Sequence, residues 1–469
     1  MTLLISRPPS PRLLARRVSD LTPPGRDRAL DALRAFAILG VVLGHWLVTA
    51  LVATDGGLHT DSPLRHMPYL APVSWVCQTL ALFFFVGGIC AVRGYRSARG
   101  RGIGYRRWAG GRLGRLARPA AVVLAVWIPV ACLLPALGVP KGTVRTLMTL
   151  VASPMWFLLV FAALTAATPL VARLHPGGPL AVVAAVDLTR FALGGPAWLG
   201  WVNVAAGWLV PFTLGALYAR GGLRGRYAGL PLLLGGGAAT VALVLWGGYP
   251  ASMVGVPGAA ISNLSPPTLA AVCFGLAQCG LALLLMEPLR RAMRRPLAWA
   301  GVAGVNLFAM TVFLWHQTAM MAVTGLGLVA AGQLPALHTA PDGPGWAALR
   351  VLWVPVFGVA LALFWAVFHR FEHGRGGRRP GGVRQGATTS PGAVPSVSGP
   401  VASAALSGAG RLEPVAPARR SRPAPHAPRS WQGGPGPVLA AVAEGGSAGG
   451  ARAIRAGRSP SAVPPPAAG

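Results

Sequence analysis

Apolar residues along this chain neither alternate nor recur every third or fourth position. They come in long, nearly unbroken runs separated by short polar stretches. The runs fall at 30–52, 72–92, 117–138, 149–170, 179–194, 198–219, 229–247, 268–287, 301–328 and 349–369. About 18 to 20 apolar residues are needed to cross hydrocarbon as a helix. The pattern therefore predicts an all-α, polytopic transmembrane helix bundle of about ten spans. The fifth run is short and carries Asp187 and Arg190 inside it.

The polar positions add orientation. The formal net charge is +31, which in a soluble chain would suggest nucleic acid, but here the locations of the charges explain it better. With the N-terminus placed in the cytoplasm, 37 basic residues fall on the inner side, four outside (Arg65, Lys141, Arg145 and Arg350) and one, Arg190, within a span. Leaving out the tail, the inner count is still 25. This asymmetry follows the positive-inside rule and predicts both termini in the cytoplasm. The inner loop from Arg93 to Arg118 alone holds nine Arg, whereas the outer loop 53–71 is short and carries Asp55, His59, Asp61 and His66.

Three segments follow. Residues 1–28 form a basic cytoplasmic N-terminal segment, 29–373 the membrane domain, and 374–469 a tail of Pro, Gly, Ala, Ser and Arg. The tail has too little apolar surface to fold and is expected to be disordered in the cytoplasm. The first 28 residues are Arg- and Pro-rich and the first apolar run lacks a small-residue cleavage site, so the first span is expected to be retained.

Composition narrows the chemistry. Hydrophobic residues make up 53% of the chain and charged ones 11%, with a mean hydropathy of +0.55. The five cysteines lie in or beside apolar runs without a CxxC pair or metal-ligand spacing, and read as small buried thiols. No GxSxG elbow, P-loop, GxGxxG unit or HExxH is present, which argues against a serine hydrolase, an NTPase, a dinucleotide-binding enzyme and a zincin. What remains is a set of polar residues within helices.

In "RDRALDALRAFAILGVVLGHW", residues 26–46, Arg34 and His45 are eleven positions apart. That spacing is three helical turns plus roughly 20°, so both point to one face about 16 Å apart along the axis. Ionisable groups in a span usually face a bundle interior or a water-filled cavity. A neutral imidazole there can take a proton from a hydroxyl, and it can equally serve as a hydrogen-bonded link between helices. Asp31 lies three residues before Arg34, where it can pair with it, and about 21 Å along the axis from His45. Any partner orienting His45 must therefore come from another helix or from substrate.

Two more features stand out. In "GYRRWAGGRLGRLARPA", Arg112, Arg115 and Arg118 recur every third residue and are expected to form a cationic ridge able to fork onto phosphates; anchoring to lipid headgroups is the alternative. In "FLWHQTAMM", His316 falls at a depth close to that of His45, so the two could share one layer of a cavity. His59, His66, His369 and His373 are weaker candidates, and no metal site is expected.

These motifs resemble the integral-membrane acyltransferase family 3. The likeness covers about residues 26–373. It is most specific in LDALRAFAILGVVLGH, similar to the family's first-helix signature of Arg and His separated by ten residues. "LFFFVGG" resembles the second helix, "YRRWAGGRLGRLARP" the Arg-rich entry to the third, and "PMWFLL" with Trp156 the fourth. "RPLAWAGVAGVNLFAMTVFLWH" is similar to the ninth-helix pattern ending in His316, and "HRFE" with Glu372 to the end of the last. Departures are Ala32 and Ala35 where many relatives have Gly, Gly87 and Gly88 where many have Ser-Gly, and a tail that cannot supply the soluble transferase domain that many carry.

The resemblance implies a membrane-bound O-acyltransferase. Its acyl group comes from a cytoplasmic donor such as acyl-CoA, as co-substrate and with no bound cofactor. The acceptor is a hydroxyl of a carbohydrate, cell-envelope glycan or natural product, O-acetylation being one form. His45 and Arg34 are the expected catalytic residues, Arg112, Arg115 and Arg118 hold the donor, and His316, Trp156, Asp31 and Glu372 support the site. The expected location is the bacterial plasma membrane as a multi-pass protein, the expected partners are the bilayer, donor and acceptor, and nucleic acid is not among them. A transporter or flippase of a small polar or lipid-linked substrate, with the polar stripe lining a permeation path, is the alternative.

Overall fold

The computed structural model describes residues 10–371 except 224 and 226. Glu372, His373 and the tail at 374–469 lie outside the described residues. Leaving aside single-turn helices, the order begins with α1 (Pro11–Asp20), α2 (Arg28–Val48), β1 (Ala50–Thr54), β2 (Gly57–Asp61), α3 (Leu80–Gly100), α4 (Tyr105–Ala136) and α5 (Lys141–Ala166). It continues with α6 (Gly177–Asp187), α7 (Val202–Ala219), α8 (Leu230–Trp246), α9 (Leu269–Ala292), α10 (Pro296–Leu307), α11 (Ala309–Ala331) and α12 (Pro344–Phe368). Among the described residues, eight helices are long and apolar enough to cross a membrane. The protein is an all-α, multi-pass membrane protein.

Three of the ten expected spans have a different form. The fifth is an 11-residue helix, α6, which passes into a π-helical stretch at Leu188–Ala192. Asp187 explains the local geometry: it is 1% exposed and accepts hydrogen bonds from Asn203 Nδ2 at 2.9 Å, Tyr249 Oη at 3.0 Å and the Leu269 amide at 2.7 Å. The acid inside the run thus ties α6 to α7, to the segment after α8 and to the start of α9. The seventh, α8, has 17 residues.

The ninth run is two helices. Phe308 leaves the helical conformation with φ −114° and ψ 17° between α10 and α11, and its ring packs edge-on against Trp365 at 4.5 Å. Just before the break, Asn306 Nδ2 donates to the backbone carbonyl of Asp31 at 2.7 Å, anchoring the end of α10 to α2.

The first expected span, α2, stops at Val48, short of the expected 52. The following Ala50–Thr54 segment instead pairs antiparallel with Gly57–Asp61 around Asp55-Gly56, a strong hairpin signal between short β-prone segments. Gly57 sits at φ +107°, and a Cβ there would lie 2.2 Å from Thr143 Oγ1. The hairpin is held on α5 by the Leu58 amide, which donates to that hydroxyl at 2.9 Å.

The centre of the bundle is set by close helix approach. A Cβ on Gly88 of α3 would meet the Phe212 carbonyl oxygen of α7 at 2.1 Å, and one on Gly215 of α7 would meet the Phe85 carbonyl oxygen at 2.1 Å. Without hydrophobic drive between helices in lipid, such small residues allow backbone-to-backbone packing. The "VGG" of the second run is therefore a packing surface, and it holds α3 as one wall of the space around α2.

Candidate active site

Two cavities lie along α2. At the arginine-rich end, a cavity of about 340 Å³ is lined by Arg34, Arg112 and Arg115 together with Cys90 and apolar side chains of α3, α5 and α11. Deeper along α2, a cavity of about 230 Å³ is lined by His45, Trp156, Gln78, Thr79 and Ser153 among others. Phe157 and Phe313 line both cavities, so these two rings form the wall between them.

The Arg34–His45 stripe expected from the spacing is therefore divided, its guanidinium facing one cavity and its imidazole the other. Of the arginine ridge, Arg112 and Arg115 line the first cavity, whereas Arg118 lies outside its lining. The cause is helical arithmetic. Each step of three residues falls short of a full turn by about 60°, so the third arginine points about 120° from the first. Arg112 is held over the Trp108 ring at 5.9 Å, with Nη2 donating to the Cys90 carbonyl at 3.4 Å. Gly94 makes room for it, since a Cβ there would lie 2.1 Å from Nη2.

Asp31 does not pair with Arg34. Its carboxylate takes Arg26 Nε at 2.6 Å and Arg26 Nη2 at 3.3 Å, ahead of the helix. The Arg26 side chain lies outside the span, where a chain turning back along the first turn reaches Asp31, and this leaves Arg34 facing the cavity.

The second cavity ends on a histidine pair. His45 Nδ1 lies 3.1 Å from His316 Nε2, and His316 Nδ1 lies 2.6 Å from the Phe313 carbonyl oxygen. A carbonyl only accepts, so His316 carries its proton on Nδ1 and presents Nε2 as an acceptor. His45 must then donate from Nδ1, which leaves the lone pair of a neutral His45 on Nε2. Gln317, 2% exposed, brings its amide to 2.9 Å from the same His45 Nδ1. Facing an N–H, the amide presents its oxygen, the atom that has no partner when the group is turned the other way.

Around this pair the backbone is braced. Trp46 Nε1 donates to the His316 carbonyl at 3.0 Å. Arg350, 1% exposed, donates from Nε to the Trp46 carbonyl at 2.7 Å, from Nη2 to the Thr49 carbonyl at 2.7 Å and from Nη1 to the Ala336 carbonyl at 3.0 Å. Its charge meets the carbonyl-rich C-terminal end of α2, the favourable end for a cation. Sequence position alone had placed Arg350 among the outer-loop charges; it is a buried strut between α12 and the end of α2.

The structure thus brings Arg34, Arg112 and Arg115 together in one cavity, and His45, backed by His316, with Trp156 in the next. Arg118 and Asp31 stand apart from both, and Glu372 lies outside the described residues. Gln317, Arg350, Ser153, Phe157 and Phe313 were not singled out from the sequence. Gln317 adjoins His316 in "FLWHQ", and only that adjacency could have flagged it. Ser153 Oγ is buried without a hydrogen-bond partner on the lining of the histidine cavity. No group of three or more His, Cys, Asp or Glu side chains among the described residues is placed to hold a metal ion.

Comparison with curated proteins and with solved structures finds no match. The acyltransferase domain of the acyltransferase 3 family matches residues 27–369. That range begins beside Arg26 and ends at the close of the last helix, and it contains both cavities and the histidine pair. The chain belongs to the acyltransferase 3 family of membrane acyltransferases.

Proposed function

We propose that the protein moves an acyl group from a polyanionic thioester such as acyl-CoA, bound from the cytoplasm, to a hydroxyl of a carbohydrate, envelope glycan or natural product. The observation that carries this reading is the pair of cavities with one wall in common, three guanidinium groups in the first and an imidazole in the second. Arg34 and His45 are about 16 Å apart along the helix. A donor with phosphates at one end of a long flexible arm and its thioester at the other suits that separation.

In this mechanism Arg112, Arg115 and Arg34 hold the phosphates by charge-assisted hydrogen bonds. The acceptor enters the histidine cavity, where Ser153 and Trp156 offer polar and stacking contacts. His45 Nε2 takes the hydroxyl proton as the oxygen attacks the thioester carbonyl; the C–O bond forms, the C–S bond breaks, and the imidazolium returns the proton to the departing thiolate. His316 accepts the His45 Nδ1 hydrogen bond throughout, keeping Nε2 toward the acceptor. A positioned base of this kind contributes roughly 10²- to 10⁴-fold.

The test uses labelled acyl-CoA and membranes of the source cell as the acceptor mixture. Acyl transfer adds a fixed mass increment to a membrane product and releases CoA. Transport would leave substrate mass unchanged, and an unaltered rate in a normally inserted His45→Ala variant would sink the proposal.

A further inference from the structure

The wall between the cavities is a packed aromatic cluster. Phe157 is 2% and Phe313 4% exposed, and their ring centroids are 5.3 Å apart. Phe83, which faces only the arginine cavity, meets Phe157 edge-on at 5.0 Å and stacks on Phe313 at 6.4 Å. Behind them, Phe84 meets Phe157 at 5.0 Å and lines neither cavity. Such pairs are favourable beyond the area they bury, which keeps the two rings in place at the junction of the cavities.

This placement constrains the acyl group. The donor's charges belong with the arginines, and the base belongs to the other cavity, so the reacting carbonyl carbon must come to the common wall. The acyl chain attached to it then has two places to go. It can enter the histidine cavity, the smaller of the two at about 230 Å³, which must also admit the acceptor, or it can turn along the Phe83 face beside the donor arm. Both routes are bounded by the same rings.

From this we infer that Phe157 and Phe313, backed by Phe83, determine acyl-chain length, holding the site to short acyl groups. The inference rests on the acyl-transfer reading above and adds to it the class of acyl donor and the residues that select it. One methylene in a closed apolar pocket is worth about 10- to 200-fold in discrimination, so removing one ring should be visible as a change in preference. Phe313 has a second tie to the chemistry, because its carbonyl receives His316 Nδ1 at 2.6 Å; Phe157 is therefore the cleaner position to vary.

The experiment compares acetyl-, butanoyl-, hexanoyl- and octanoyl-CoA as donors, with source-cell membranes as acceptor, reading CoA release and product mass. Wild type should favour the two shorter donors. Phe157→Ala should raise the octanoyl-to-acetyl rate ratio at least tenfold, and Phe157→Leu should raise it by less while keeping the packing. Phe84→Leu, which loosens the same cluster without touching either cavity, should lower thermal stability and leave the ratio alone. An unchanged ratio in both folded Phe157 variants, or an equal shift in Phe84→Leu, overturns the assignment of the wall. A wild-type preference for octanoyl-CoA overturns it as well. Failure of wild type to transfer from any donor overturns instead the acyl-transfer reading on which it stands.

Discussion

His45 Nδ1 and His316 Nε2 approach to 3.1 Å although 271 positions separate them, and the second histidine donates a hydrogen bond from its own Nδ1 to the Phe313 carbonyl. This chain of hydrogen bonds decides which nitrogen of a neutral His45 carries the proton and which keeps its lone pair. The Trp46 indole on the His316 carbonyl and the Arg350 guanidinium on the Trp46 carbonyl hold the two helices at that spacing. If the proposed mechanism holds, His45→Ala lowers the transfer rate at least 10²-fold. His316→Ala frees the tautomer and lowers kcat about tenfold with little change in the KM for acyl-CoA, as initial-rate kinetics would reveal.

The division of the arginine ridge separates three residues that are alike in sequence. Charge-assisted hydrogen bonds contribute about 1.5–3 kcal/mol, so Arg112→Ala and Arg34→Ala should each raise the KM for acyl-CoA roughly 10- to 100-fold. Arg118→Ala, outside the cavity lining, should stay within about twofold. Equal losses at all three would assign the ridge to general electrostatics and not to the cavity.

Asp31 offers a contrast. Its partner is Arg26, whose side chain is 47% exposed, and exposed ion pairs typically contribute less than about 1 kcal/mol. Asp31→Asn should change thermal stability only slightly and leave the KM for acyl-CoA within about twofold, measured on the detergent-solubilised protein.

Arg350 should behave as a structural strut. Arg350→Met leaves three backbone carbonyls without their donor in a buried place, which costs at least about 2 kcal/mol. Arg350→Lys should recover only part of this, because one ammonium cannot reproduce the planar fork. Denaturant titration in detergent, scored by Trp fluorescence, distinguishes the two.

Glycines in the bundle should divide by their surroundings. At Gly88 an added Cβ meets a backbone oxygen of the facing helix at 2.1 Å, and at Gly110 it meets nothing within 4 Å. Gly88→Ala should therefore destabilise by at least about 2 kcal/mol through overpacking. Gly110→Ala should be neutral or stabilise by about 0.5–1 kcal/mol, as expected for a helix interior. Paired melting curves of the two variants test the contrast.

Much of this protein was legible in one dimension. Apolar run length is a local property set by the thickness of hydrocarbon, so the membrane bundle could be read from the chain without knowing how helices meet. Angular arithmetic on one helix likewise placed Arg34 and His45 on a common face. The same arithmetic applied to Arg112, Arg115 and Arg118 already contained the drift that sets Arg118 apart. What the apolar runs hid was interruption: the hairpin after Val48, the break at Phe308 and the π-helical end of α6 arise from turn residues, an anchored Asn306 and a buried Asp187.

The tertiary structure alone decided the partners. Nothing in the spacing of residues 45 and 316 says that one imidazole accepts the other's hydrogen bond, that Arg350 caps α2, or that Phe157 and Phe313 stand between two cavities. Each of those relations depends on how closely separate helices approach, which is set by small residues such as Gly88 and Gly215 and by hydrogen bonds made across the bundle. Composition and periodicity are summed along the chain, and contacts between helices are not; that is why the membrane architecture and the family motifs were visible in the sequence, and the wiring of the site was not.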